Sequence, residues 1–126
     1  MSKEIKALCE LKNCDPEDGL ALVEVLNIFS GKWKMIIIGS MFDEDIRFSE
    51  IQKLLPSITP RMLSKELKEL EQHQLIKRVV IDQYPIKISY SLEPYADSLT
   101  PIIYAMKDWG LSHKDKIFNK WEKEEL

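Results

Sequence analysis

The chain has few of the residues that build catalytic and metal sites. Its 126 residues include two cysteines, Cys9 and Cys14, and two histidines, His73 and His113. The histidines lie far apart in the sequence, lack further ligands at metal spacing, and are not near a cysteine that they could activate. The sequence also lacks a Gly-rich phosphate loop and a Ser–His–acid pattern. We therefore expect no enzymatic activity, no metal site and no cofactor.

Long apolar runs and a secretory leader are also missing from the sequence. No apolar run approaches the roughly 20 residues that cross a bilayer, and no charged-then-apolar segment opens the chain. Two cysteines do not make the disulfide framework of a small secreted domain. We expect a cytoplasmic protein that does not contact membranes.

The sequence also lacks an overall excess of positive charge. The net charge is −3, whereas many nucleic-acid-binding domains are basic. The charges are unevenly distributed, because residues 59–90 hold six Lys or Arg against four acids, while acid clusters lie at 15–18, 43–45 and 122–125. Phosphates respond to the local field rather than to the sum of charges. The charge balance therefore neither requires nor excludes DNA binding.

The chain does contain a series of amphipathic segments, enough for one domain with its own core. We predict helices over 2–12, 16–30, 32–42 and 49–55, with a short strand at Arg47 and Phe48 before the last of them. The helix at 16–30 has apolar residues around most of its circumference. We therefore predict that it is well buried.

The segment 59–74 carries the most informative pattern. Thr59 can cap a helix, and Pro60 suits its first position because proline has no N–H to leave unpaired. Three leucines at helical spacing face a core, namely Leu63, Leu67 and Leu70. The opposite side presents short polar and basic residues without an acid, namely Arg61, Ser64, Lys65 and Lys68.

The elements around this helix favour a winged helix. The helix at 49–55 and the turn at Pro56 and Ser57 precede it, which gives a helix-turn-helix order. A two-strand pattern follows, with β-branched residues over 75–82 and apolar–polar alternation over 86–92. We predict a mainly α (α+β) fold, a winged helix-turn-helix whose second helix enters the DNA major groove.

The predicted DNA contacts lie on this helix and on the hairpin. Arg61, Ser64 and Lys65 are in the first two turns, the part that reaches base edges, and Lys68 is placed to contact phosphate. On the hairpin, which forms the wing, Tyr84 and Lys87 can approach the DNA backbone or the minor groove. We interpret Lys77 and Arg78 only as residues that solvate a strand. The full set of predicted contacts is Thr59, Pro60, Arg61, Ser64, Lys65, Lys68, Tyr84 and Lys87.

The ends of the chain are predicted to pair two copies. A long helix from Pro94 to about residue 124 carries an apolar stripe wider than one small domain needs. We predict a single domain over 1–126, with the helix-turn-helix part at about 14–112 and helices 2–12 and 94–124 forming a homodimer. The predicted interface residues are Ile5, Leu8, Leu99, Ile102, Ile103, Met106 and Trp109.

Several short motifs, in this order, resemble the HxlR family of winged helix regulators. They are Gly-Lys-Trp at 31–33, Arg-Phe-Ser-Glu-Ile at 47–51, Ile-Thr-Pro-Arg-Met-Leu at 58–63, Leu-Lys-Glu-Leu at 67–70, Tyr-Ser-Leu at 90–92, Ser-Leu-Thr-Pro at 98–101 and Trp-Gly at 109–110. The resemblance spans about Cys14 to Trp109. It departs from the family where Asp15 separates Cys14 from Pro16, and where Glu93 and Ala96 replace the Thr and Gly expected before the last helix.

The resemblance implies a homodimeric transcription factor that binds an inverted-repeat operator in double-stranded DNA. It also makes Cys14 a candidate redox sensor, since some members of the family sense oxidants or electrophiles through a cysteine at this place. A position before a helix favours the reactive thiolate, but Asp15, Glu17 and Asp18 oppose it. We interpret Cys14 as a small, partly buried hydrophobe and keep the sensor as the alternative.

Two further alternatives remain open. Winged helix domains also act as protein–protein adaptors that do not bind DNA, and the net negative charge is compatible with that role. A regulator that responds to a small-molecule effector would have the same sequence features. The acid-free front of the helix at 59–74 favours DNA binding over the adaptor.

Overall fold

The computed structural model describes residues 16–42 and 44–125. Its elements are α1 (Pro16–Ile28), α2 (Lys34–Gly39), β1 (Ile46–Arg47), α3 (Phe48–Leu54), α4 (Pro60–Gln72), β2 (Ile76–Gln83), β3 (Ile86–Leu92), a 3-10 helix (Pro94–Leu99) and α5 (Thr100–Glu125). This helix-rich architecture with a small antiparallel sheet confirms the predicted fold class. Residues up to 34 form one unit, and residues from 35 onward form a second.

The first unit contains α1. Acids occupy its first turn, where they interact favourably with the positive end of the helix dipole. After the helix, the chain turns at Gly31, whose φ of 93° is a conformation that favours glycine. The prediction that this helix is well buried is wrong, because four of its large apolar side chains are exposed, namely Leu20, Leu22, Val25 and Leu26.

The second unit has a core built from the short helices and the sheet. Its most completely buried large side chains come from α2, α3 and α4, namely Ile37, Ile38, Ile51, Leu63, Leu67 and Leu70. The strand order is β1-β3-β2, and both pairings are antiparallel. Helix α2 is shorter than the predicted 32–42, and β1 lies one residue earlier than predicted.

The register of the sheet fixes which side chains of the wing share a face. Arg78 of β2 lies opposite Tyr90 of β3, and Val80 lies opposite Ile88. Because side chains alternate along a strand, Lys77 projects from the other face than Arg78. A bulge at Ile81 interrupts the pairing towards the tip of the hairpin.

The C-terminal segment differs from the predicted single helix. It opens with a 3-10 helix, and α5 then runs from Thr100 without interruption through Gly110. Pro101 suits the first turn of α5 because its missing N–H would be unpaired there anyway. Glu93, which precedes the 3-10 helix, makes no side-chain cap within the described residues. None of the helices in the described part of the chain is long and apolar enough to span a membrane.

Candidate nucleic-acid interface

Helix α4 begins with the cap that the sequence predicts. Thr59 has an extended backbone, and its side-chain oxygen accepts a hydrogen bond from the Met62 N–H at 3.2 Å. Pro60 occupies the first turn, and the Leu63 N–H donates to the Thr59 carbonyl at 2.9 Å. The first turn, which carries Arg61, is therefore fixed by local hydrogen bonds.

The C-terminal end of α4 is also capped by backbone hydrogen bonds. Gln74 adopts the left-handed conformation with φ of 60°. The Leu75 N–H donates to the Leu70 carbonyl at 3.1 Å and the Gln74 N–H to the Glu71 carbonyl at 2.9 Å, which is a Schellman motif. The Tyr95 hydroxyl donates to the His73 carbonyl at 3.0 Å, so the 3-10 helix is also tied to this end of α4.

The two faces of α4 are clearly separated. Leu63, Leu67 and Leu70 are buried, and Glu66 is buried beside them, which the sequence pattern did not indicate. The predicted contacts on this helix and its cap all lie on the exposed surface, namely Thr59, Pro60, Arg61, Ser64, Lys65 and Lys68. The structure therefore brings six of the eight predicted contacts onto one exposed face.

A tight turn positions α4 against α3. The Leu55 N–H donates to the Ile51 carbonyl at 2.9 Å, and the Ile58 N–H donates to the Leu55 carbonyl at 3.1 Å. Ile51 and Ile58 are both buried. The two helices are thus anchored in one core, in the order that a helix-turn-helix requires.

The wing carries the two remaining predicted contacts. Tyr84, at the hairpin turn, is 92% exposed. Lys87 is exposed on β3 and lines an open depression of about 320 Å³ with Arg47, Phe48, Ser49, Ile86 and Ile88. Arg47 also forms an ion pair with Glu50 at 3.9 Å. The structure therefore places Lys87 beside the start of α3.

A larger groove separates α4 from the sheet. Its volume is about 440 Å³, and its lining residues are Phe48, Ser64, Lys68, Glu71, Arg78, Ile88 and Tyr90. Burial raises the pKa of Tyr90, the Glu71 carboxylate acts in the same direction, and Arg78 opposes both through its charge and a hydrogen bond. The phenol is therefore neutral at physiological pH. The sequence alone did not indicate a binding role for Arg78, because only the strand register places this residue in the groove.

The predicted dimer residues of the C-terminal segment are incompletely buried. Leu99 and Ile103 are half-buried, whereas Ile102, Met106 and Trp109 are 46%, 55% and 68% exposed. Trp109 stacks on His113 with ring centroids 4.9 Å apart. The predicted interface residues Ile5 and Leu8, and the candidate sensor Cys14, lie outside the described residues. Among the residues that are described, no cluster of His, Cys, Asp or Glu is placed to hold a metal ion.

Comparisons with known proteins point to one group of regulators. The sequence profile described as HxlR-like helix-turn-helix matches residues 28–118. The HTH-type transcriptional regulator YdeP of Bacillus subtilis (strain 168) is 44% identical over 103 residues, which cover 82% of this chain and 80% of YdeP.

Solved structures of regulators resemble this fold. The redox regulator HypR in its reduced form superimposes with a TM-score of 0.73 at 40% identity, covering 77% of this chain and 96% of HypR. The reduced form of the transcriptional regulator YodB from B. subtilis has a TM-score of 0.62 at 30% identity, covering 76% and 90% of the two chains.

Proposed function

The chain belongs to the HxlR-like helix-turn-helix family of DNA-binding transcriptional regulators, and on that premise we propose that it acts as a homodimer on an inverted-repeat operator. It acts through DNA binding rather than catalysis, in the cytoplasm. The observation that carries this proposal is the exposed front of α4 with Arg61, Ser64, Lys65 and Lys68, held between two capped ends.

In the proposed complex, α4 lies in the major groove. Arg61, Ser64 and Lys65 reach base edges, since the first turns of a recognition helix come closest to the bases. Thr59 and Pro60, at the start of the helix, approach the adjacent backbone, and Lys68 contacts a phosphate. The wing residues Tyr84 and Lys87 contact the backbone or the minor groove.

The exposed apolar residues of α5 support the homodimer. Monomeric proteins rarely leave large contiguous apolar surface exposed, and Ile102, Met106 and Trp109 recur at helical spacing. Pairing of two copies would also double the number of base contacts. It would place two α4 helices about one DNA turn apart, or ~34 Å.

The test is a pair of double variants with equal charge. Arg61→Ala with Lys65→Ala should abolish specific binding to a selected duplex in an anisotropy titration, because both residues face the bases. Lys107→Ala with Lys114→Ala removes the same two charges from α5 and should leave specific binding within a factor of two or three. Both proteins should keep the wild-type circular dichroism spectrum. Normal specific binding by the first variant would contradict the assignment of α4.

A redox or electrophile signal is a second proposal, supported by the similarity to the redox regulator HypR. Cys14 is the candidate sensor, since a cysteine before a helix start favours the thiolate. Oxidant should change the operator affinity of the wild-type protein and of Cys9→Ser, but not that of Cys14→Ser. Equal responses of the two variants, or labelling of Cys14 no faster than free cysteine, would contradict a sensor at this position.

A further inference from the structure

The groove between α4 and the sheet is lined in part by residues that the proposed DNA contacts do not include, among them Arg78 and Tyr90. One wall is formed by Ser64, Lys68 and Glu71 of α4. The other wall comes from the sheet, where Arg78 and Tyr90 are direct partners across β2 and β3. The groove therefore brings together side chains from both DNA-facing elements, the recognition helix and the wing.

The charges in this groove favour an anion. Lys68 and Arg78 supply two positive charges from opposite walls, and Glu71 supplies one negative charge. Both cations are exposed, so neither needs to lose its access to solvent or ligand. Phe48 and Ile88 add apolar lining beside these charges.

The neighbours of Arg78 restrict its side chain. Tyr90 is buried, lies directly opposite Arg78 in the sheet, and interacts with it by a hydrogen bond. Glu71 lines the same groove from the end of α4. A guanidinium that is hydrogen-bonded to a phenol keeps further N–H groups for another acceptor, because arginine has five donors. Planar N–H pairs of this kind suit phosphate oxygens.

We propose that this groove binds one phosphate of the DNA backbone, held by Lys68 from α4 and Arg78 from β2. The inference rests on the proposed DNA binding and adds a contact for Arg78 to it. Tyr90 is a positioning residue that orients the Arg78 side chain. Because the phosphate is held from both walls, the contact fixes the spacing between the recognition helix and the wing on the duplex.

The test uses two adjacent residues of one strand. Arg78→Ala removes the proposed contact, and Lys77→Ala removes the same charge from the other face of the sheet. Affinity for a selected duplex is measured over a salt series. For each protomer, Arg78→Ala should make the negative slope of log K against log salt shallower by about 0.9 and should reduce the affinity at 0.1 M salt by about eight-fold. Lys77→Ala should change the slope by less than a third of that amount.

Two further measurements separate a phosphate contact from a merely structural role. Arg78→Lys keeps the charge and should retain most of the wild-type slope. Arg78→Ala should weaken specific and nonspecific duplexes by the same factor, since phosphates carry no sequence information. A variant that had only disturbed the fold would lose specific binding while the slope on nonspecific DNA stayed the same.

The outcomes also distinguish this inference from the proposed function. If the wild-type protein binds DNA but Arg78→Ala and Lys77→Ala behave alike, the phosphate site is wrong and the DNA-binding proposal stands. A wild-type slope in Arg78→Ala would lead to the same conclusion. If the wild-type protein binds no duplex, both proposals fail.

Discussion

Helix α4 buries its apolar side chains and exposes its polar ones, whereas α5 exposes large apolar side chains to solvent. In α4, Leu63, Leu67 and Leu70 are packed in the core of their own unit. In α5, Ile102, Met106 and Trp109 have no comparable burial. The surface that α4 leaves free suits a polar, charged partner, and the surface that α5 leaves free suits an apolar one. We therefore propose different partners for the two helices, DNA for α4 and a second copy of the chain for α5.

The largest expected effect lies on the buried face of α4. Leu67 is 1% exposed, and its replacement by alanine should lower the free energy of unfolding by about 2–5 kcal/mol, through lost burial and the cavity left behind. Lys68→Ala, one residue further and exposed, should change it by less than about 0.5 kcal/mol. Urea unfolding measures both. Similar losses for the two variants would mean that the faces of α4 are not separated as described.

Charges placed on α5 should act on assembly and not on folding. Ile102→Glu with Met106→Glu should raise the dimer dissociation constant by roughly thirty-fold or more, equivalent to ~2 kcal/mol, as measured by sedimentation. Lys107→Gln with Lys114→Gln lowers the net charge equally without placing a charge on the stripe of Ile102, Met106 and Trp109, and should leave the dimer intact. A wild-type monomer at micromolar concentration, or an unaffected Glu variant, would contradict the proposed interface.

The cap of α4 should contribute a smaller amount. Thr59→Ala loses the hydrogen bond to the Met62 N–H and should cost about 1 kcal/mol of stability. Thr59→Ser keeps an oxygen at the same place and should restore most of that loss. Thermal unfolding of the three proteins tests the cap, and equal stability of the Ala and Ser variants would argue against it.

The smallest expected effect is a gain in stability at the end of α4. Gln74 adopts a left-handed backbone conformation, which costs a residue with a Cβ roughly 1–2 kcal/mol, and glycine would avoid this cost. Because glycine loses more backbone entropy on folding, we expect a net gain of about 0.5 kcal/mol for Gln74→Gly. His73→Gly, at a position without positive φ, should instead destabilise the protein. A loss of stability in both variants would contradict the Schellman geometry.

The start and the buried face of α4 could be predicted from the sequence because their signals are local. Thr59 and Pro60 mark the start of the helix within one turn, and Leu63 and Leu67 indicate its buried face by spacing alone. Helix α1 shows the limit of this reasoning. Its apolar circumference predicted that the helix is buried. A local pattern does not show whether these side chains are buried within their own unit or against another surface.

Residues whose roles depend on strand register could not be assigned in advance. Arg78 lines the groove only because β2 pairs with β3 so that Arg78 faces Tyr90, and register is a property of two segments together. The same reasoning applies to the start of the last helix. There the residues around Glu93 and Pro101 decide between 3-10 and α geometry, whereas the apolar pattern alone predicted one continuous helix.

The most direct test of the different roles of α4 and α5 is selection of bound fragments from a pool of random DNA duplexes by the wild-type protein. A reading helix on each of two paired protomers predicts enrichment of an inverted repeat, with half-site centres about 10 base pairs, or ~34 Å, apart. Enrichment of a single unpaired motif would contradict the pairing through α5. Absence of any enriched sequence would contradict base reading by α4.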